Sequence, residues 1–506
     1  MKILRNNLIH LTKIYLIIFS FALCAAAQNS LVRFEKSIEA GQTAEVEKDL
    51  FNYVIANPKD AKGFALLAKL RLKQNRLNEA KSLSNKALTI DSKLFSAKLT
   101  LAETHFQLGE IEQSHNILDG ISANEIADDS IRLNVARTYA QIGDCAKALI
   151  LAEKLSVKVK NSEALPFRAA CYSDSGDKKN FASLISIAKL SAKQSPTVAV
   201  KFAEVLGKAA MNKEAVDLLR LVIVSAPKNT NALLLLAKSE IYLKDFANAK
   251  VHLAQAEKVQ PDSSELLFVK SILESEQGNT AQSLELIEKS LAETPNSIEV
   301  LAQFVVTAMR ANQAGKAVRA AEKLLNLQPE NLDYLYLFGA ASLQNNNLQT
   351  AESSLKKFLE ARPDDSRGCV ALGLTYAAQP EKLSEARNQM QHCIEINPNN
   401  YEAVHQLGLS YKMQGEMPKA IEYLEKTINL APDNASALRD LGVVYLQSGA
   451  ETQARVVLEK AVALNPNDAD THFQLSRLYN LTGERELAKK HLEIFQKLKN
   501  PKKDGM

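Results

Sequence analysis

The chain has 506 residues, 46% of them apolar and 24% charged, a balance typical of soluble proteins. Its formal net charge is +4, and three basic residues lie in the first 27, so the remainder carries 59 basic against 58 acidic residues. Binding to the phosphate backbone of nucleic acids needs clustered Lys and Arg. The near-neutral body therefore argues against a nucleic-acid partner.

Residues 1–27 have the features of a targeting signal. Residues 1–13 are basic, residues 14–23 are apolar, and three alanines precede Gln28 as a small-residue cleavage site. Three interpretations stay open: a cleaved signal, an uncleaved anchor, and a lipidated chain attached through Cys24. Each predicts export, with the protein periplasmic, associated with the cell envelope, or secreted. Membrane contact is expected only through this segment.

Beyond the leader, the sequence repeats with a period of about 34 residues. Such spacing is typical of a helical solenoid, because each unit has to end in the same way before the next begins. The period is plainest in eight prolines spaced 34 or 35 residues apart: Pro227, Pro261, Pro295, Pro329, Pro363, Pro398, Pro432 and Pro466.

Counted from its first residue, the unit 401–434 shows the pattern within one period. Positions 4, 7, 8 and 11 fall on one face of a first helix, which Gly415 at position 15 ends. Positions 20, 24 and 27 fall on one face of a second helix. Small residues at positions 8 and 20, here Gly408 and Ala420, allow the two helices to approach closely. Pro432 at position 32 cannot continue the second helix.

The next unit repeats this set with Leu441, Gly442, Tyr445, Gly449, Ala454 and Pro466. Together these residues resemble the tetratricopeptide repeat, over almost all of residues 28–502. The resemblance implies an all-α fold, a right-handed superhelical solenoid of about fourteen helix–turn–helix repeats. We expect residues 28–195 to be less regular, residues 196–502 to be regular, and residues 503–506 to form a short tail.

Three departures from the period stand out. The unit 366–400 has one extra residue in the turn between its helices, the unit 129–161 is one residue short, and the second to fifth units lack the proline at position 32. Phe181 also occupies position 20, where alanine is usual. Sequence drift explains these departures, and a bend between a front and a back half of the array is the alternative.

In tetratricopeptide solenoids, positions 2, 5, 9, 12 and 13 of the first helix line a concave groove. Here these positions form a mostly apolar stripe, which suits an extended peptide or an amphipathic helix. The alternative is that individual members pack against neighbouring first helices. The candidate groove residues are Leu234, Tyr242, Phe268, Ile272, Met309, Tyr336, Leu374, His405, Leu409, Met413, Arg439, Phe473 and Arg477.

Four cysteines follow the leader. In a helical hairpin that turns near position 15 or 16, residues whose positions sum to about 31 face each other. Cys369 at position 4 and Cys393 at corrected position 27 meet this condition, so a disulfide between them is a candidate in an oxidising compartment, with two buried thiols as the alternative. Cys145 and Cys171 are about one helical turn out of register and are poorer candidates.

The sequence contains no phosphate-binding loop, no H-E-x-x-H helix and no G-x-S-x-G elbow. We therefore expect no enzyme activity, no catalytic residues, no cofactor and no metal. The function indicated is a non-catalytic scaffold of the cell envelope that binds one or more proteins or peptide segments. The alternative is a recognition or accessory subunit of an envelope enzyme complex or of a polysaccharide-secretion or assembly machinery.

Overall fold

The computed structural model describes residues 30–39, 43–121, 126 and 128–499. The leader, Cys24 and the predicted tail lie outside these residues. In the described ranges the regular secondary structure is helical, which confirms the predicted all-α fold. The chain divides into two compact units, Met1–Pro261 and Asp262–Met506.

The described helices pair consecutively, and we number the pairs as repeats 1 to 14. In the first unit the pairs are residues 30–39 with Thr43–Ala56, Ala61–Lys73 with Leu77–Ile90, Phe95–Gln107 with Ile111–Asp119, Asp129–Gln141 with Cys145–Glu153, Leu165–Asp174 with Lys178–Ser191, Pro196–Lys208 with Asn212–Ser225, and Thr230–Tyr242 with Phe246–Val259. In the second unit they are Ser264–Glu276 with Thr280–Glu293, Ile298–Arg310 with Ala314–Leu327, Leu332–Gln344 with Leu348–Ala361, Ser366–Ala377 with Leu383–Ile396, Tyr401–Met413 with Met417–Leu430, Ala435–Gln447 with Glu451–Leu464, and Ala469–Leu481 with Arg485–Lys499.

Local signals fix where these helices begin and end. In most repeats the residue before the first helix caps it, as when Asn434 accepts a hydrogen bond of 3.1 Å from the amide of Ala437. In twelve of the described pairs, the turn contains a left-handed residue at position 15. Gly449 supplies it with φ 68°, and Asn312 supplies it in another repeat with φ 56°. The helix boundaries therefore recur with the sequence period.

The small residue at position 8 allows close contact inside the helical hairpin. A Cβ atom added to Gly442 would lie 2.5 Å from Cγ of Leu458, the residue at position 24 of the same repeat. Leu458 is fully buried. The glycine is thus required by the close approach of the second helix.

A tyrosine at position 11 joins successive repeats. The Tyr479 hydroxyl donates a hydrogen bond of 2.8 Å to Glu459, at position 25 of the preceding repeat. Tyr139 donates an equivalent bond of 2.6 Å to Asp119. Burial, reinforced by the hydrogen bond to Glu459, raises the pKa of Tyr479 to about 12. Position 11 is therefore both a packing site and a hydrogen-bonding site between repeats.

The first unit contains several repeats that depart from the usual pattern. The second helices of repeats 3 and 4 have nine residues, and a short helix, Val157–Lys160, follows the second of these. Phe181, at a position usually held by alanine, is buried and stacks on Phe202 at 6.3 Å between ring centroids. The larger side chain is thus accommodated by an aromatic pair within a continuous apolar core.

The turn with the extra residue, in repeat 11, has a different geometry. A short 3-10 helix, Pro380–Lys382, connects the two helices. The Glu352 carboxylate of repeat 10 holds this turn by accepting hydrogen bonds from Gln379 and Lys382 and one from Lys356 at 2.8 Å. These charged hydrogen bonds, led by the one from Lys356, lower the pKa of Glu352 to about 2.

Each of the two disulfides involves a repeat whose length departs from 34 residues. Cys369 and Cys393 are bonded across the hairpin of repeat 11, with their Cα atoms 5.7 Å apart. Cys145 of the short repeat 4 is bonded to Cys171 of repeat 5, with their Cα atoms 5.2 Å apart. The ranking of Cys145 and Cys171 as poorer candidates was wrong, because the helices Cys145–Glu153 and Leu165–Asp174 are in contact and bring the two sulfur atoms together.

Candidate functional site

The predicted groove residues differ widely in how much of each side chain reaches solvent. In the first unit, Tyr242 is 49% exposed but Leu234 is only 6% exposed. In the second unit, Ile272 is 3% exposed and packs in the interior. Leu234 and Ile272 therefore stabilise the packing between helices and do not present side chains to a partner.

Four further residues of the second unit are half-buried and lie against its core clusters. Phe268 and Met309 pack on the cluster that contains Phe304. Leu374 packs on the cluster around Met390, and Tyr336 packs on the cluster around Leu355. Part of each side chain is accessible to solvent, so each can contribute to the lining of a groove, although none projects fully into solvent.

The Tyr336 ring is held on two sides. Its centroid lies 5.5 Å from that of Phe358, and the guanidinium of Arg367 lies 5.1 Å above it. Burial raises the pKa of the Tyr336 hydroxyl. Arg367 was absent from the sequence-based set, although it occupies position 2 of its repeat, one of the groove positions.

An ion network connects repeats 12 and 13 and ends at Asp468, the residue that caps the first helix of repeat 14. His405 Nε2 lies 3.0 Å from Asp440, Arg439 contacts Asp440 at 3.2 Å, and Arg439 also contacts Asp468 at 3.1 Å. Burial alone would raise the pKa of Asp440, but the His405 hydrogen bond and the Arg439 charge outweigh it and lower that pKa. His405 and Arg439 thus have partners within the chain, and Asp440 is the residue that joins them.

The clearest solvent-facing members lie toward the end of the second unit. Met413 is 69% exposed and Phe473 is 38% exposed, with its ring 5.2 Å from that of Phe495. Arg477 is exposed and donates a hydrogen bond of 3.1 Å to Gln474. Leu409 and Met413 also line a cavity of about 110 Å³ between repeats 11 and 12. This end of the array presents apolar and cationic groups together.

The first unit has a charged row that the sequence reasoning did not single out. Lys69, Glu103 and Arg137 occupy position 9 of three successive repeats. Lys69 contacts Glu39 at 3.3 Å, and Glu103 accepts a bond of 3.5 Å from Thr138. Burial raises the pKa of Glu103, with the Lys69 charge opposing it. Counting position 9 through the early repeats would have found this row.

None of the helices among the described residues has the length and apolar character that crossing a membrane requires. Among those residues, no three His, Cys, Asp or Glu side chains are grouped so as to hold a metal ion.

Comparisons with known proteins agree with the repeat pattern. Three family models described as tetratricopeptide repeat match residues 71–130, 304–366 and 401–467. The comparison with curated proteins finds no match.

Solved structures give matches at low identity. The crystal structure of the APC/C hetero-tetramer Cut9–Hcn1 is 14% identical, covers 88% of this chain and 95% of that chain, and has a TM-score of 0.45. A tetratricopeptide repeat protein from Parabacteroides merdae is 18% identical over 53% of this chain and 98% of that chain, with a TM-score of 0.43. A thermophilic repeat protein of Thermus thermophilus is 21% identical over 36% of this chain and 98% of that chain, with a TM-score of 0.34.

Proposed function

Because the chain is a tetratricopeptide repeat protein, we propose that it is a non-catalytic scaffold that binds extended or helical segments of other proteins. Tetratricopeptide repeats generally mediate protein–protein interactions. The observation that carries the proposal is the exposed set Met413, Phe473 and Arg477 on first helices of the second unit. Aromatic, Met and Arg side chains are enriched at protein interfaces.

The proposed compartment is the periplasm or the cell envelope of a bacterial-type cell. The leader pattern in residues 1–27 supports export. The two disulfides support it independently, since disulfides persist in oxidising compartments and are rare in the cytosol. Fractionation of cells that express the full chain would test this, and a cytosolic pool in which Cys145, Cys171, Cys369 and Cys393 are free thiols would contradict it.

A capture experiment with the full chain tests the scaffold proposal. The variant Met413→Ser, Phe473→Ser and Arg477→Ser removes three exposed groups without opening the core. We expect it to lose at least tenfold in affinity for captured protein partners, because hot-spot side chains contribute 2 kcal/mol or more, about a 30-fold change.

The matched control is Val456→Ser, which changes a 65% exposed residue on a second helix. It should leave binding unchanged. If the triple variant binds every partner as the unaltered chain does, the proposed groove is not the binding surface.

A further inference from the structure

One cavity of the second unit lies where the repeat length changes. It has a volume of about 110 Å³ and lies between repeats 11 and 12, beside the turn with the extra residue. Leu383, the first residue of the second helix of repeat 11, lines it. Leu409 and Met413, at groove positions 9 and 13 of repeat 12, line the opposite side.

The walls of this cavity are mainly apolar and include two methionines. Met390 is 2% exposed and forms part of the interior, whereas Met413 is 69% exposed and stands at the rim. Methionine side chains adapt to differently shaped apolar groups because they are unbranched and polarisable. The site can therefore close around an inserted side chain without a change of backbone.

The volume limits what the cavity can hold. An apolar cavity of about 150 Å³ binds benzene and stays dry when empty. At 110 Å³ the cavity is smaller than that and matches a branched or linear aliphatic side chain better than an aromatic ring. Its apolar lining disfavours a charged or strongly polar group at the same place.

Positive charge without an acidic partner lies next to the cavity. Arg387 follows the lining residue Ala386, and its guanidinium lies 5.4 Å from the Tyr411 ring centroid. Among the described residues, Arg387 has no carboxylate partner, and its buried Nε has no hydrogen-bond acceptor. Lys419 lies 5.0 Å from the same ring but is already paired with Glu416 at 2.7 Å, so the unpaired charge is that of Arg387. A carboxylate of a bound segment would complement this charge.

We propose that the cavity between repeats 11 and 12 is an anchor pocket for one aliphatic side chain, Leu, Ile or Met, of an acidic peptide segment. This rests on the proposed scaffold function and names the kind of segment that it binds. The aliphatic side chain enters between Met390 and Met413, and a flanking carboxylate reaches Arg387. Anchors of this kind supply a large share of binding energy because they are fully desolvated.

The test uses the full chain with carbon-13 methyl-labelled methionine, titrated with the blocked pentapeptide Gly-Asp-Leu-Asp-Gly. We expect the methyl signals of Met390 and Met413 to shift, and that of Met211, in the other unit, to stay fixed. Replacing the peptide's Leu by Ala should raise the half-saturating concentration at least tenfold. Replacing both Asp by Asn should raise it about threefold.

Two variants of the chain complete the test. Ala377 is exposed and lines the cavity, so Ala377→Phe fills the entrance and should abolish the shifts. Ala378→Phe changes the adjacent exposed residue, which does not line the cavity, and should leave them unchanged. A circular dichroism melt confirms that both variants fold.

Three results would each show that the anchor-pocket proposal is wrong. The Leu and Ala peptides could have the same half-saturating concentration, the methyl signals of Met390 and Met413 could fail to shift, or the shifts could persist in Ala377→Phe. If the pocket fails while the Met413, Phe473 and Arg477 variant still loses its protein partners, the scaffold function stands and only the anchor is wrong.

Discussion

The Tyr479 hydroxyl donates a hydrogen bond of 2.8 Å to the Glu459 carboxylate of the preceding repeat. Tyr479 is 4% exposed, so the bond is made at the interface that holds repeat 14 onto repeat 13. The same relation joins Tyr139 to Asp119 in the first unit. Side-chain hydrogen bonds at equivalent positions thus accompany the apolar packing between repeats.

Removing this hydroxyl should weaken the last interface. We expect Tyr479→Phe to lower the free energy of unfolding by about 1 kcal/mol, the usual net contribution of one hydrogen bond. Hydrogen exchange of the amides in repeat 14 measures the effect. Tyr401→Phe is the control, since Tyr401 is 38% exposed and its hydroxyl lies 3.4 Å from Glu402. Equal losses in both variants would show that the bond to Glu459 contributes nothing specific.

The same interface should respond to alkaline pH. The pKa of Tyr479 is raised to about 12 by burial and by the bond to Glu459, so the folded state favours the protonated phenol. Its contribution to stability is complete below the unfolded pKa of about 10 and is lost as the pH rises through about 12. In Tyr479→Phe the free energy of unfolding, measured with urea, should fall less steeply between about pH 10 and about pH 12. The same dependence on pH in the variant and the unaltered chain would contradict this.

Two helical glycines should respond to alanine in opposite directions. In Gly442→Ala the new methyl group would lie 2.5 Å from buried Leu458, so we expect a loss of about 1–3 kcal/mol through overpacking. In Gly207→Ala no heavy atom lies within 4 Å of the new methyl group, and the higher helix propensity of alanine should add up to about 1 kcal/mol. Thermal melts of the two variants measure whether the stability falls in Gly442→Ala and rises in Gly207→Ala. A stabilised Gly442→Ala variant would mean that the close approach is not required.

The turn of repeat 11 should weaken in acid. Hydrogen bonds from Lys356 and Lys382 lower the pKa of Glu352 to about 2, so its contribution is present above the unfolded value of 4.5 and is lost as the pH falls toward 2. Glu352→Gln should remove about 1 kcal/mol of stability at about pH 6 and much less at about pH 2.5, measured by urea unfolding. In Glu285→Gln, which alters a largely exposed carboxylate, we expect no measurable change. A loss in Glu352→Gln that is the same at both pH values would contradict the ionic role.

Each disulfide should stabilise the repeat whose length departs from the period. The bonds span 24 and 26 residues, for which chain entropy predicts about 3 kcal/mol each. We expect Cys369→Ala with Cys393→Ala, and Cys145→Ala with Cys171→Ala, to lower the melting temperature of the oxidised chain. Adding a reductant should not lower the melting temperature further through the disulfide that the variant already lacks. Mass analysis of unreduced peptides that finds free thiols at either pair would refute that bond.

The candidate site was only partly predictable from sequence. Counting positions placed Met413 and Phe473 on the first helices, and both are exposed. The same counting also selected Leu234 and Ile272, which are buried, because position number does not report how closely the neighbouring repeat packs. Arg387 was not predicted, because its contact with the Tyr411 ring of the next repeat depends on how the two repeats pack.

The repeat and its helices follow directly from the amino-acid sequence. Caps, left-handed turn residues and small residues at position 8 act within one repeat or between neighbours, and a solenoid is built from such contacts alone. The Cys145–Cys171 bond, the hydrogen bonds of Glu352 to the long turn and the cavity beside Leu383 become visible only in the folded array. Each depends on how far one helix shifts when a repeat gains or loses a residue, and that displacement is set by packing between side chains of different repeats.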